Sequence, residues 1–281
     1  MPGARPPPPD FCPDDRAALE RAVILLERTS LASRIAEAAG KPINQAMAML
    51  PRFVTEWIHK VVEKTVLTAL NLAISSIDLA SIKPPRKQTS TMVAGIAGGV
   101  GGLFGIAALP AELPFTTTLM LRAIADVARH EGEDLSQIEV RLACLEVFAL
   151  SSEPGASRID FGYYAARAIL TKMSAETAAL VLERGLAGLT APVVHSFVMT
   201  IVNRFSAVVT ERVAASAVPL VGAVGGATIN VVFMNHFQSL AQGHFTMRRL
   251  ERTYGEEPVR EAYLALAATA NAPRPASIKR R

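Results

Sequence analysis

Glu112, His244 and Arg249 are the side chains of this sequence whose types could do acid–base chemistry together. A carboxylic acid, an imidazole and a fixed cation are sufficient parts for a hydrolytic site if a helical cavity brings them within hydrogen-bond reach. Glu112 is the one Asp, Glu, Lys or Arg among the 34 residues from Gln88 to Leu121. It reads either as a helix-start acid favoured by the positive end of the dipole or as a partly buried acid at a membrane boundary. His244 falls inside the apolar stripe Phe233, Phe237, Leu240, Met247, Leu250 and Tyr254, where a satisfied core histidine is the plainer account. His236 lies eight residues earlier, outside the i,i+3 or i,i+4 spacing that two ligands of one metal need on one helix. No HExxH is present, and neither a metal nor a cofactor is expected.

The remaining polar candidates have other uses. Arg122 and Asp126 are spaced to form an i,i+4 pair, worth a few tenths of a kcal/mol on an open surface. Asn230, between Ile229 and Val231, needs a hydrogen-bond partner if it is buried and could bridge helices. Arg248, Arg249 and Arg252 follow an apolar stretch and would suit phosphate headgroups, or else form a solvated last turn at a helix C-terminus. There is no GxSxG or SxxK, and the GGVGG run lacks both the lysine and the preceding strand of a P-loop.

Helices must position these residues. In 281 residues, hydrophobic side chains make up 50% and charged ones 19%, and the mean hydropathy of +0.28 lies between soluble chains and polytopic transporters. A formal charge of +4 is too small to argue for nucleic acid. Cys12 and Cys144 stand apart, without a CxxC or Cys/His cluster, and read as free thiols. The apolar periodicity is helical throughout, so the expected fold is all-α, a multi-helix bundle with two glycine-rich apolar helical hairpins. Residues 1–13 read as a disordered, Pro-rich, non-secretory leader, 14–268 as one helical domain and 269–281 as a disordered basic tail.

Within the domain, Asp14 or Asp15 would cap a first helix with a Leu19, Val23, Leu26 and Ile35 stripe, ended by Gly40 and Pro42. A second helical region runs from about Ile43 to Leu79, restarting at Pro51 and carrying Trp57, Val61, Thr65 and Thr68. Pro114 starts a helix that stops at Gly132, and Ser136 with Glu139 forms a capping box. Further helices begin around Phe161 to Arg167 and at Pro192, one ends at Gly255, and a last one spans about Pro258 to Ala268.

Two zones break this amphipathic pattern. The 35 residues from Val213 to Met247 contain no Asp, Glu, Lys or Arg, a counterpart to the zone around Glu112. Gly95/Gly99, Gly98/Gly102, Gly101/Gly105 and Gly222/Gly226 are small-xxx-small pairs that clear one helix face for close backbone approach. Such packing would offset the ~1 kcal/mol that each helical glycine costs. The two zones are expected to pack on each other through Gly98, Gly102, Gly222 and Gly226, bringing Glu112 toward Asn230, His236 and His244. Residues 92–109 make a marginal membrane span, a re-entrant hairpin or a core helix of a soluble bundle. Basic outer flanks, Lys83, Arg86 and Lys87 before the first run and Arg248, Arg249 and Arg252 after the second, would lie on the cytoplasmic side.

The order of these motifs resembles the EcsC protein family: Trp57 and Lys60, then GIAGGVGGLFGIAALPAELPFTTTLMLRAIADVARHEG from Gly95, then CLEVFAL from Cys144. Tyr163, Tyr164 and Arg167 follow, then VPLVGAVGGATINVVFMNHFQSLAQGHFTMRRLERTYG from Val218, and Tyr263. The resemblance covers roughly residues 50 to 265. It implies a bacterial, non-enzymatic, membrane-associated accessory factor on the cytoplasmic side, tied to transport or secretion. Its implied partners are membrane lipid or an integral membrane protein, an ABC transporter among them, or further copies of the chain. The competing reading is a soluble helical hydrolase with a Glu/His/Arg cavity.

Overall fold

The computed structural model describes residues 11–27, 31, 34, 47–75, 109–151, 163–216 and 223–270. Among them are eight α-helices and no strand: α1 (Pro13–Glu27), α2 (Arg52–Ile74), α3 (Leu109–His130), α4 (Ile138–Glu146), α5 (Tyr163–Arg184), α6 (Pro192–Ser216), α7 (Ala223–Tyr254) and α8 (Glu256–Ala270). The all-α expectation holds. Gly95, Gly98, Gly99, Gly102, Gly105 and Gly222 lie outside the described residues, as do the side-chain surroundings of Gly226. So does the expected packing of one glycine-rich zone on the other.

The 32 residues of α7 span about 48 Å at 1.5 Å per residue, and α1, α3, α6 and α8 pack along them. α1 runs antiparallel to α7, since Asp15 meets Arg249 while Leu26 meets Gly243. α2 closes the bundle against α3, α4 and α6, and α5 packs on α4 and α6. At the centre the rings of Phe148, Phe205, Phe233 and Phe237 pack with centroids 5.0 to 6.3 Å apart. That separation suits tilted and edge-on aromatic contacts.

Local chemistry explains most boundaries. Leu19, Val23 and Leu26 are buried as expected, whereas Ile35, Gly40 and Pro42 fall outside the described residues. Phe11 and Cys12 belong to the packed structure rather than to the leader: Phe11 sits 4.8 Å from the Tyr254 ring, and the Cys12 amide donates to the Tyr254 hydroxyl. Pro51 precedes α2 and Pro192 opens α6, where a missing N–H costs nothing. Gly132 and Gly255 follow α3 and α7 with φ of 79° and 90°, the left-handed conformation that glycine adopts freely.

Two expectations at helix starts are corrected. α3 is already helical at Leu109, with Pro114 inside it. The burial of Leu109 and Leu113 and the engagement of Glu112 outweigh the lost backbone hydrogen bond. Ser136 caps nothing, because α4 begins at Ile138 without a side-chain cap. Asp134 organises that turn, accepting from the Ser136 amide at 2.9 Å and from the Gln137 amide group at 3.2 Å.

Close approach through a glycine does occur, at a position the sequence pattern did not single out. A Cβ on Gly243 would lie 2.7 Å from Leu26 Cγ and 3.3 Å from the Ala22 carbonyl oxygen, so α1 rests directly on the α7 backbone. Gly243→Val is expected to lower stability by about 1–3 kcal/mol, read as a lower urea midpoint. An unchanged midpoint would mean that α1 can move off α7 without cost.

Candidate functional site

A polar seam runs through the second half of α7. Arg248 donates from Nε and Nη2 to both oxygens of Glu133, at 2.8 and 3.1 Å. Arg252 joins the same carboxylate and donates to the Glu131 carbonyl at 2.6 Å. Arg249 donates to Glu131 at 2.8 Å and to Asp15 at 2.7 Å, tying α1 and the turn after α3 to one side chain. Gln242 and Thr246 complete the Glu131 carboxylate. The arginines read in the sequence as headgroup contacts are therefore matched by Asp15, Glu131 and Glu133. Burial alone would raise the Glu133 carboxyl, but its bonds to Arg248 and Arg252 hold it below the ordinary value. The Arg249 hydrogen bond likewise holds Asp15 down.

Next along the seam, Arg167 of α5 makes a two-pronged pair with Glu251, at 2.6 and 2.5 Å. Tyr164 donates to the same carboxylate at 2.9 Å, and Tyr263 donates to Glu27 at 2.6 Å. The rings of Tyr163, Tyr164 and Tyr263 pack together, and the Arg167 guanidinium lies 5.8 Å from the centroids of the first two. Tyr163, Tyr164, Arg167 and Tyr263, noted in the sequence only as parts of a motif, are thus one assembly that clamps α5 and α8 to α7.

The histidines lie inside. His244 is fully buried, with Nδ1 2.9 Å from the Tyr163 hydroxyl. Burial, reinforced by the charges of Arg167 and Arg248, pushes its pKa well below the ordinary value, so it is neutral. His236 is 3.1 Å from the Ser151 hydroxyl, and burial lowers its pKa to about 3. Among the described residues no three His, Cys, Asp or Glu side chains are grouped to hold a metal. Asn230 is fully buried on α7.

Glu112 is engaged at the opposite end. It pairs with Arg212, in the last turns of α6, and the Arg212 guanidinium lies 5.2 Å from the centroid of Phe233 on α7. Its polar partner is this arginine, whereas His236 and His244 bond to Ser151 and Tyr163. Asp126 pairs with Arg129 at 3.0 Å instead of with Arg122, an acid-before-base i,i+3 contact, while burial raises its pKa. Glu112, His244 and Arg249 form no common site. On α7 the contact at Phe233 and residue Arg249 are sixteen positions apart, about 24 Å of helix.

Arg212, Glu131, Glu133, Glu251 and Glu146 escaped the sequence reading, and Asp15 was read there only as a helix cap. The acids of EGE at 131–133 flank a helix stop, the one signal that they could answer three arginines elsewhere.

Fold and seam define a class: among the described residues, an all-α bundle around one long helix, locked by interior ion pairs and tyrosines. A protein-family model, that of the EcsC protein family, matches residues 19–250, and the chain belongs to that family. No curated protein and no solved structure matches it.

Proposed function

We propose that this EcsC-family chain is a non-enzymatic, membrane-associated accessory or interaction factor on the cytoplasmic side of the membrane. Its glycine-rich end would engage lipid or an integral membrane protein, an ABC transporter being the partner that the family resemblance suggests. The observation that carries this reading is the Glu112–Arg212–Phe233 contact. It joins, at one end of the bundle, the first turn of α3, the last turns of α6 and the early part of α7, the helices that border the two glycine-rich runs in sequence. The charged seam occupies the other end. In this proposal the glycine-rich runs would make the apolar contact while the ion pairs of the seam stay intact.

Among the described residues α6 alone is long and apolar enough to cross a bilayer, with mean hydropathy 1.4. It is a packed helix of the bundle: Phe197, Ile201, Phe205 and Val209 are fully buried, and it carries buried Glu211 and Arg212 near its end. The association proposed therefore rests on the glycine-rich zones and not on α6. The hydrolase reading has lost the convergence of Glu112, His244 and Arg249 on which it stood.

Fractionation tests the proposal. The full chain is expected to sediment with membranes at low salt, and complete recovery in the soluble fraction would overturn the reading.

A further inference from the structure

Glu146, the last residue of α4, is 1% exposed and takes no part in the ion pairs of the seam. The Ser174 hydroxyl of α5 donates to its Oε1, while Oε2 is buried with no hydrogen-bond partner among the described residues. Thr177, one turn beyond Ser174 on the same face of α5, is fully buried, and its Oγ1 is likewise unsatisfied. Thr177 therefore supplies no hydrogen to Oε2, and Ser174 gives its own to Oε1.

Among the described residues, the charged neighbours are already engaged. From α5 come Arg167, already bound through two nitrogens to Glu251, and Tyr163, which burial keeps protonated. From α7 comes Arg248, bound to both oxygens of Glu133. Glu133, before α4, is itself an anion, and Cys144 on α4 is pushed up by burial and stays a thiol. α2 turns a buried face of Val54, Ile58, Val62, Thr65 and Val66 inward, which holds nothing titratable. On α3, Asp126 and Arg129 pair with each other. An ionised Glu146 would be a buried charge without a counter-ion, an arrangement that proteins avoid by neutralising the group.

We infer that Glu146 is a proton-binding site inside the bundle, carrying its proton on the oxygen that Ser174 leaves free, and that this proton keeps the end of α4 docked on α5. The membrane reading above is not needed for this inference. Burial raises the carboxyl from 4.5 to about 6, against the lowering effects of the Ser174 bond and of Arg248 and Arg167. The folded chain therefore holds this proton more tightly than the unfolded chain does. Because the folded value is the higher one, this stabilisation is complete below the unfolded value and is lost as pH rises through about 6. The consequence is transmitted by position. α4 continues into a 3-10 turn, Val147–Ala149, which carries Phe148 into the aromatic centre and offers the Ala149 carbonyl to Arg204 at 3.2 Å.

The test is an infrared titration of the full chain, following the C=O stretch of protonated carboxylic acid from about pH 5 to 8, with urea midpoints measured over the same interval. Wild type should lose one such band with a midpoint near 6 while its urea midpoint falls. E146Q should lack the band and that portion of the fall, since a neutral amide mimics the protonated acid. A band titrating near the ordinary glutamate value of about 4.3, or an undiminished fall in E146Q, would overturn the inference. Should E146Q not fold, S174A decides: it must move the midpoint of the band, and a band near 6 that it leaves in place belongs to another carboxyl and overturns the inference.

Discussion

Glu251→Ala is expected to lower the unfolding free energy by about 3–5 kcal/mol, the cost of breaking a buried ion pair from one side. Arg167 and Glu251 are 12% and 9% exposed at their side chains, so the arginine left behind cannot recover full hydration. The same substitution removes the acceptor of Tyr164 and loosens the three-tyrosine cluster that holds α8. Burial and the Glu251 carboxylate both raise the pKa of Tyr164, so its proton is firmly held and its hydroxyl has no use in an ionised form. Urea denaturation near pH 7 measures the loss. Glu257→Ala provides the contrast, because its pair with Arg260 joins side chains 74% and 47% exposed and should cost no more than about 1 kcal/mol. Comparable losses at the two sites would show that the seam is hydrated and contributes no more than a surface pair. Replacing both Arg167 and Glu251 by apolar residues of similar volume should recover much of the loss, since the penalty comes from the orphaned charge.

The seam also marks where sequence reasoning runs out. Helix identity was legible because the apolar residues of α6 and α7 recur at 3.6-residue spacing and because Pro51, Pro192, Gly132 and Gly255 sit where backbone chemistry requires a start or a stop. The start of α3 was not, since the burial of Leu109 and Leu113 is a tertiary effect that outweighs a local proline signal. For the site, the types of Tyr163, Tyr164, Arg167 and Tyr263 were suggestive, yet their assembly depends on contacts across 84 to 87 positions, as between Tyr164 or Arg167 and Glu251. The burial of His244 was legible because its stripe is periodic, whereas its partner Tyr163 lies 81 positions away and no spacing rule reaches it. Arg248, Arg249 and Arg252 misled for the same reason: a run of three cations looks free until Asp15, Glu131 and Glu133 arrive from two other elements.

Arg212→Leu separates stability from the proposed role. Arg212 and Glu112 are 8% and 12% exposed at their side chains, and the guanidinium also covers the face of Phe233. Removing the cation leaves Glu112 buried and uncompensated, with an expected loss of about 3–5 kcal/mol, comparable to Glu251→Ala. A double substitution, Glu112→Leu with Arg212→Leu, should recover most of it, and the double-mutant cycle should show a coupling of up to about 3 kcal/mol. The two ion pairs differ in place. The Arg167–Glu251 pair fastens α5 to the charged end of α7, while Glu112–Arg212 gathers the helices that lead into both glycine-rich zones. Matched in stability loss by choice of temperature, Arg212→Leu should weaken sedimentation with membranes at least several-fold more than Glu251→Ala. Equal weakening would show that binding follows global stability alone, and that the ion pair at the apolar end only holds the bundle together.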